Sequence, residues 1–354
     1  MIMIQCERKG GDLNVLRFLF FVVFALFLFA AFTGSIAAEK TARRSVPDSA
    51  FSQVLQKHFA IYTNNPAELA VLDGDDVHAI DTVLKRTQEK RDEIQRLLKS
   101  GNASFHGTDR IINDQAPILH YVKIELAVAK RSLQTKHIDQ SVESLRNMIR
   151  LTHFLCAANQ YDLRLTAARI RLQTIIALQD IFLNPGCTKQ IHQDFFELLE
   201  FQLAHWTKDK TIWLEYLDEG KKIFGEAELK KDEQLVIEKK VFEKAMRAVI
   251  ESCQFPFYKR QPVLRQLEIE LKKHSEPTLA DGLLKEVAGT MELLATERTQ
   301  CEMVFLALSI AIHGRNQQHC ITPLTGEEYN IKLLTDGVMI TYPGNPKAVY
   351  LPYR

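Results

Sequence analysis

Between residues 116 and 184 apolar side chains recur at steps of three and four almost without a break. That periodicity confines the stretch to helices packed on helices. Val142, Leu145, Met148, Ile149, Leu151 and Leu155 make one stripe, and Leu163, Ile170, Ile175, Leu178 and Phe182 make the next. The spacing predicts three helices, broken near His137-Ile138-Asp139 and near Ala158-Asn159-Gln160. Asn184-Pro185-Gly186 then stops the run, because proline lacks the backbone donor and glycine favours the turn.

The same pattern extends to both sides. Helices are expected over 48–63, from a cap at Asp73 or Asp75 to about residue 98, and over 232–251, 262–273 and 279–313. Residues 188–224 should form a pair carrying both tryptophans, with Trp206 and Trp213 seven apart on one helix face and packed in the core. In the last helix MVFLALSIAI is apolar nearly all round and should be the most buried element. No fixed repeat period is present, so the array is irregular and not a solenoid. YNIKLLTDGVMITY alternates, with Asp336-Gly337 as a two-residue turn pairing Thr335 with Val338, Leu333 with Ile340 and Ile331 with Tyr342. AVYLPY can add a third strand. The fold class is therefore mainly α. An irregular antiparallel helical array over 48–313 is closed by a C-terminal loop and β-hairpin, 314–354, packed on the helices, and one N-terminal hydrophobic helix precedes it.

Residues 18–38 carry no charge, and Arg8, Lys9 and Arg17 come before them. Basic residues stay on the cytoplasmic side, so the rest of the chain is expected to be exported. The length favours an uncleaved inner-membrane anchor, with the domain on the extracytoplasmic side. The small residues Ser35-Ile36-Ala37-Ala38 offer the alternative, a signal peptide cut near Ala38 that releases a soluble periplasmic or secreted protein. Residues 39–47 are a polar linker. Beyond the apolar block lie Cys156, Cys187, Cys253, Cys301 and Cys320. Cys301 and Cys320 flank the end of the last helix and are the first candidates for a disulfide. The alternative is that all five are small apolar core residues. Asn102-Ala103-Ser104 is a formal glycosylation sequon. With 45 basic and 44 acidic residues the net charge is +1, which argues against nucleic acid as a partner.

Catalytic motifs are scarce. No phosphate-binding glycine loop, G-x-S-x-G or H-E-x-x-H occurs, and no cofactor is expected. LDGDD could start a calcium loop, but Leu84 holds the position where its terminal glutamate belongs, so a helix cap is the better reading. His313, His319 and Cys320 form the tightest His/Cys group; a helix-end histidine near the negative dipole end explains it more simply than zinc. Arg164 and Arg171 sit seven apart on one helix face, with Arg169 nearby. Together with Glu297 and Arg298 of the last helix, and His313 at its end, they are the candidate lining of an anionic-ligand pocket. The alternative is a solvated face or interhelical ion pairs. KKDEQLVIEKKVFEK reads as a charged surface helix.

LQTKHIDQSVESLRNMIRLTHFLCAANQYDLRLTAARIRLQTIIALQD resembles a pattern in uncharacterised exported helical proteins of planctomycete-like bacteria. CQFPFYKRQPVLRQLEIEL resembles the Pro-aromatic-basic turn that follows in them. ERTQCEMVFLALSIAIHGR and ITPLTGEEYNIKLLTDGVMITYPGN resemble their ending, which is also similar to the small β-element of pseudopilins. Thr322 stands where that ending usually has Asp, and the pseudopilin amino-terminal signature is missing. The resemblance implies fold and export, not an activity. The expected function is an exported interaction or scaffold protein of the cell envelope, held to the membrane through 18–38 and bound to another envelope protein. A hydrolase or small-ligand-binding protein with a site between helices is the alternative.

Overall fold

The computed structural model describes residues 49–101, 103–105, 114–158, 160–228, 233–271, 278–314, 320–343 and 348–354. The expected export segment 1–38, the linker 39–47 and Asn102 of the sequon lie outside the described residues, as does His319. Among the described residues no helix is long and apolar enough to cross a membrane.

The helices follow in chain order. A short group, α1 (Ala50–Phe59), α2 (Ile61–Asn64) and α3 (Pro66–Ala70), precedes α4 (Val77–Ser100). The dense stretch gives α5 (Ala116–Gln134), α6 (Ile138–Ala157) and α7 (Tyr161–Leu183). Then come α8 (Lys189–Ala204), α9 (Asp209–Glu228), α10 (Glu233–Ser252), α11 (Gln261–Leu271) and α12 (Leu279–His313). The three helices expected over 116–184 are thus present, with Lys136 in the left-handed region at the first break. The cap of α4 is Asp76, not Asp73 or Asp75. Its carboxylate accepts from the backbone N–H groups of His78 and Ala79 at 3.0 Å, the geometry a cap needs.

At 35 residues α12 is about 50 Å long, at 1.5 Å per residue. Its start is fixed twice. Thr278 and Asp281 form a capping box, and Glu238 of α10 accepts the N–H groups of Leu279 and Ala280 at 2.9 and 3.3 Å. It ends at Gly314, whose φ of 63° is the left-handed cap glycine tolerates. This one helix serves two hydrophobic cores. Its second half, from Cys301 to Ile310, packs with α1, α4 to α8 and the sheet. Its first half, from Ala280 to Ala295, packs with α9, α10 and α11 around Trp213, Phe224 and Phe242. α7 also belongs to both, with Tyr161 and Ala168 in the second core and Leu163, Ile170 and Leu178 in the first. The crossing of α7 and α12 is therefore a seam between cores.

The C-terminal end is a three-stranded antiparallel sheet, β1 (Asn330–Leu333), β2 (Gly337–Thr341) and β3 (Val349–Pro352), in the order β1-β2-β3. Val338, Ile340, Val349 and Leu351 seal it onto the first core. The expected register is shifted. Leu333 pairs with Val338 and Ile331 with Ile340, so Thr335 and Asp336 form the turn. The reason is the third strand. Gly337 is not in the left-handed region; it sits where a Cβ would come within 2.5 Å of the Leu351 carbonyl oxygen. Its missing side chain lets β3 approach and does not serve a turn. Leu333, left beyond the covered face, is exposed. Gly337→Ala should push β3 off β2 and cost about 1–3 kcal/mol, the usual range for overpacking, read as a lower denaturation midpoint. An unchanged midpoint would show that the sheet has slack there.

Candidate functional site

Arg164 and Arg171 lie on one face of α7, and both point at Glu297 on α12. Arg164 Nη2 donates to Glu297 Oε2 at 2.6 Å, and Arg171 Nη1 donates to Oε1 in a shorter contact. The three side chains are 1%, 4% and 0% exposed. Of the two readings open to these residues, the structure gives interhelical ion pairing, but with two cations on one anion. That leaves one positive charge in excess at the seam between the cores.

Arg171 is held on every side. Its Nε donates to Thr152 Oγ1 at 3.1 Å and its Nη2 to Cys156 Sγ at 3.2 Å. Gln202 of α8 joins the network through Thr152 at 3.2 Å and the Ile149 carbonyl at 2.7 Å. Arg164 is less well served, since its Nε and Nη1 are buried without a hydrogen-bond partner. Burial works against its charge and the Glu297 carboxylate works for it, and the guanidinium is held above its ordinary pKa. A buried donor left unpaired costs about 1–3 kcal/mol, so this is a costly arrangement to keep.

One aromatic ring ties the group together. Trp206 lies 5.4 Å from the Arg164 guanidinium, 4.9 Å from that of Arg171 and 5.1 Å from that of Arg298. Each distance is within cation–π range. Trp206 is not on a helix. It stands in the loop between α8 and α9, half-buried, whereas Trp213 is wholly buried in the second core. The two tryptophans expected on one helix face are therefore split, because α8 stops at Ala204 and α9 begins at Asp209.

Outside Trp206 opens a cleft of about 780 Å³, with the α8–α9 loop, Arg260 and the 321–323 segment in its walls. Arg260 pairs with Asp209 at 2.7 Å and Arg298 with Glu302 at 2.8 Å. Lys208, Lys210 and Glu251 complete the charged lining, which totals four cations and three anions. Gly326 holds this wall in place. Its φ is 76°, and a Cβ there would fall 2.5 Å from the Tyr258 ring, which lines the same cleft.

Two expected members stand elsewhere. His313, sixteen positions beyond Glu297 and so about 24 Å along α12, is exposed and packs edge-on against Phe196 at 5.2 Å. Arg169 lies near Asp162 and Glu286. The expected Cys301–Cys320 disulfide is not formed. Cys301 faces the arginine cluster inside the core, where burial pushes its thiol up to about 12. Cys320 instead lies near Glu302, one position and about 100° further round the helix. Among the described residues no group of three or more His, Cys, Asp or Glu is placed to hold a metal ion.

A second charged group was not foreseen. Asp162 of α7, Glu215 and Glu219 of α9 and Glu286 of α12 crowd together, and each carboxyl is raised. Glu215 reaches about 7, through burial first and then repulsion by Glu219; the Tyr161 N–H it accepts works the other way. Glu215 and Glu219 are half-buried, while Asp162 and Glu286 remain open to water. Glu215 and Glu219 are one helical turn apart, but only the packing of three helices brings Asp162 and Glu286 beside them.

No family model, curated protein or solved structure matches the chain.

Proposed function

We propose that this chain is an exported, membrane-anchored binding protein whose cleft takes a small acidic ligand. The carrying observation is the cleft of about 780 Å³ whose inner wall, Trp206, is backed by two buried guanidiniums sharing one carboxylate. The size suits a small organic molecule. The lining carries one positive charge in excess, and the seam behind it carries another, so the potential in the cleft favours an anion. Trp206 and Tyr258 supply flat apolar surface for the body of the ligand. This reading takes the small-ligand alternative over the protein scaffold, because the charge converges on a concave site. Residues 18–38 act as the anchor and place the cleft on the extracytoplasmic side of the inner membrane.

The test is calorimetric titration of the full chain in non-ionic micelles with benzoate and with its neutral isostere benzamide. Benzoate should bind and benzamide should not. Arg298→Gln should weaken benzoate about tenfold, as expected when one charged hydrogen bond at a half-exposed site is lost. Equal binding of the two compounds, or of neither, would rule the reading out.

A further inference from the structure

We infer that the Arg164 guanidinium is a buried carboxylate seat and that Trp206 is its gate, so that the cleft is only the outer half of the site. This rests on the binding reading and adds an atom-level address to it. The first observation is the pair of unpartnered nitrogens, Nε and Nη1, on a side chain 1% exposed. Arg171, in the same pocket, has a partner for all three.

The second observation is charge. Arg164 and Arg171 bring two positive charges and Glu297 one negative. One further negative charge balances the group. A carboxylate supplies that, whereas a phosphate dianion overshoots it. The third observation is access. Trp206 lines the cleft and its ring lies 5.4 Å from the Arg164 guanidinium, and it stands on a loop, so its side chain can swing without moving a helix. Arg298, against the same ring and tied to Glu302, lines the cleft and offers an entering carboxylate a cation beside the ring.

The experiment uses the full chain in non-ionic micelles with 5-fluorotryptophan at both tryptophans, read by fluorine NMR. Trp213, in the second core, is the internal reference. Titrated benzoate should move the Trp206 signal to saturation and leave the Trp213 signal still; inorganic phosphate should move neither. Arg164→Gln should abolish the Trp206 response and weaken benzoate at least about tenfold. Trp206→Ala, a half-exposed loop change that keeps the fold, should raise the benzoate on-rate by about tenfold or more, since a closed gate taxes association. Benzoate binding that depends on Arg298 but not on Arg164, with a stationary Trp206 signal, would overturn the seat and leave the cleft reading standing. An on-rate unchanged by Trp206→Ala would overturn the gate. No benzoate binding at all would overturn both readings together.

Discussion

Glu297→Gln should cost about 3–5 kcal/mol of stability, because it leaves two buried guanidiniums with no compensating charge. The substitution keeps the shape of the side chain and one acceptor, so the loss isolates the charge. Chemical denaturation of the full chain in non-ionic micelles measures it. A cost below about 1 kcal/mol, the range of an exposed pair, would mean the seam is far wetter than the burial of these residues indicates. The companion variant separates structure from function. Arg164→Met, Arg171→Met and Glu297→Leu together remove all three desolvation penalties and should be neutral, or stabilising by about 1–4 kcal/mol. The same protein should not bind benzoate. Stability retained with binding lost would identify the triad as a feature kept for its ligand; a large destabilisation of the triple variant would identify it as a structural tie between α7 and α12.

How far this site was legible depends on which residues are considered. Arg164 and Arg171 are seven apart, two helical turns, so their shared face follows from spacing. Glu297 is 126 positions from Arg171, and only the packing of α12 on α7 brings them together. Its neighbours Arg298, Gln300 and Glu302 are polar or charged, so nothing beside it in the sequence marks it as buried. Trp206 was misplaced because the boundary between α8 and α9 carries neither Pro nor Gly; His205-Trp206-Thr207-Lys208 is a break with no punctuation. The bounds of the last helix fared better, expected over 279–313 and observed as Leu279–His313, with Thr278, Asp281 and Gly314 closing its ends; the cap expected at Asp73 or Asp75 proved to be Asp76, because three aspartates within four positions offer the same local chemistry. The sheet register failed for the opposite reason. Asp336-Gly337 is a strong local turn signal, but the Leu351 carbonyl of β3 competes for the space at Gly337, and a partner strand twelve or more residues on is invisible to a turn rule.

Glu215→Gln should stabilise the protein at pH 8 by about 1–2 kcal/mol and leave it unchanged near pH 4, because the wild-type carboxylate is held in a place that disfavours its charge. Glu215 is raised from 4.5 to about 7 by burial and by Glu219, with Asp162 adding to it and Lys222 opposing. Between those values the folded state binds more protons than the unfolded chain, so stability falls as pH rises through the window. The favourable contribution is complete below about 4.5, and it is lost by about 7. The full shift would be worth about 3 kcal/mol, but Glu215 is only half-buried and water screens part of it. Asp162, Glu219 and Glu286 shift in the same direction, so a single substitution removes only part of the pH dependence. Buried histidines oppose it at the acid end. His192 is lowered to about 4, and His120 and His153 are lowered as well, all by burial first, so each binds fewer protons in the folded state and favours folding as pH rises toward 6.5. The decisive quantity is therefore the difference between wild type and Glu215→Gln at each pH, in which the histidine terms cancel. A difference that grows from pH 5 to pH 8 places the raised carboxyl at Glu215. A difference constant across that range shows that Glu215 titrates as an ordinary exposed glutamate and that the crowding is relieved by water.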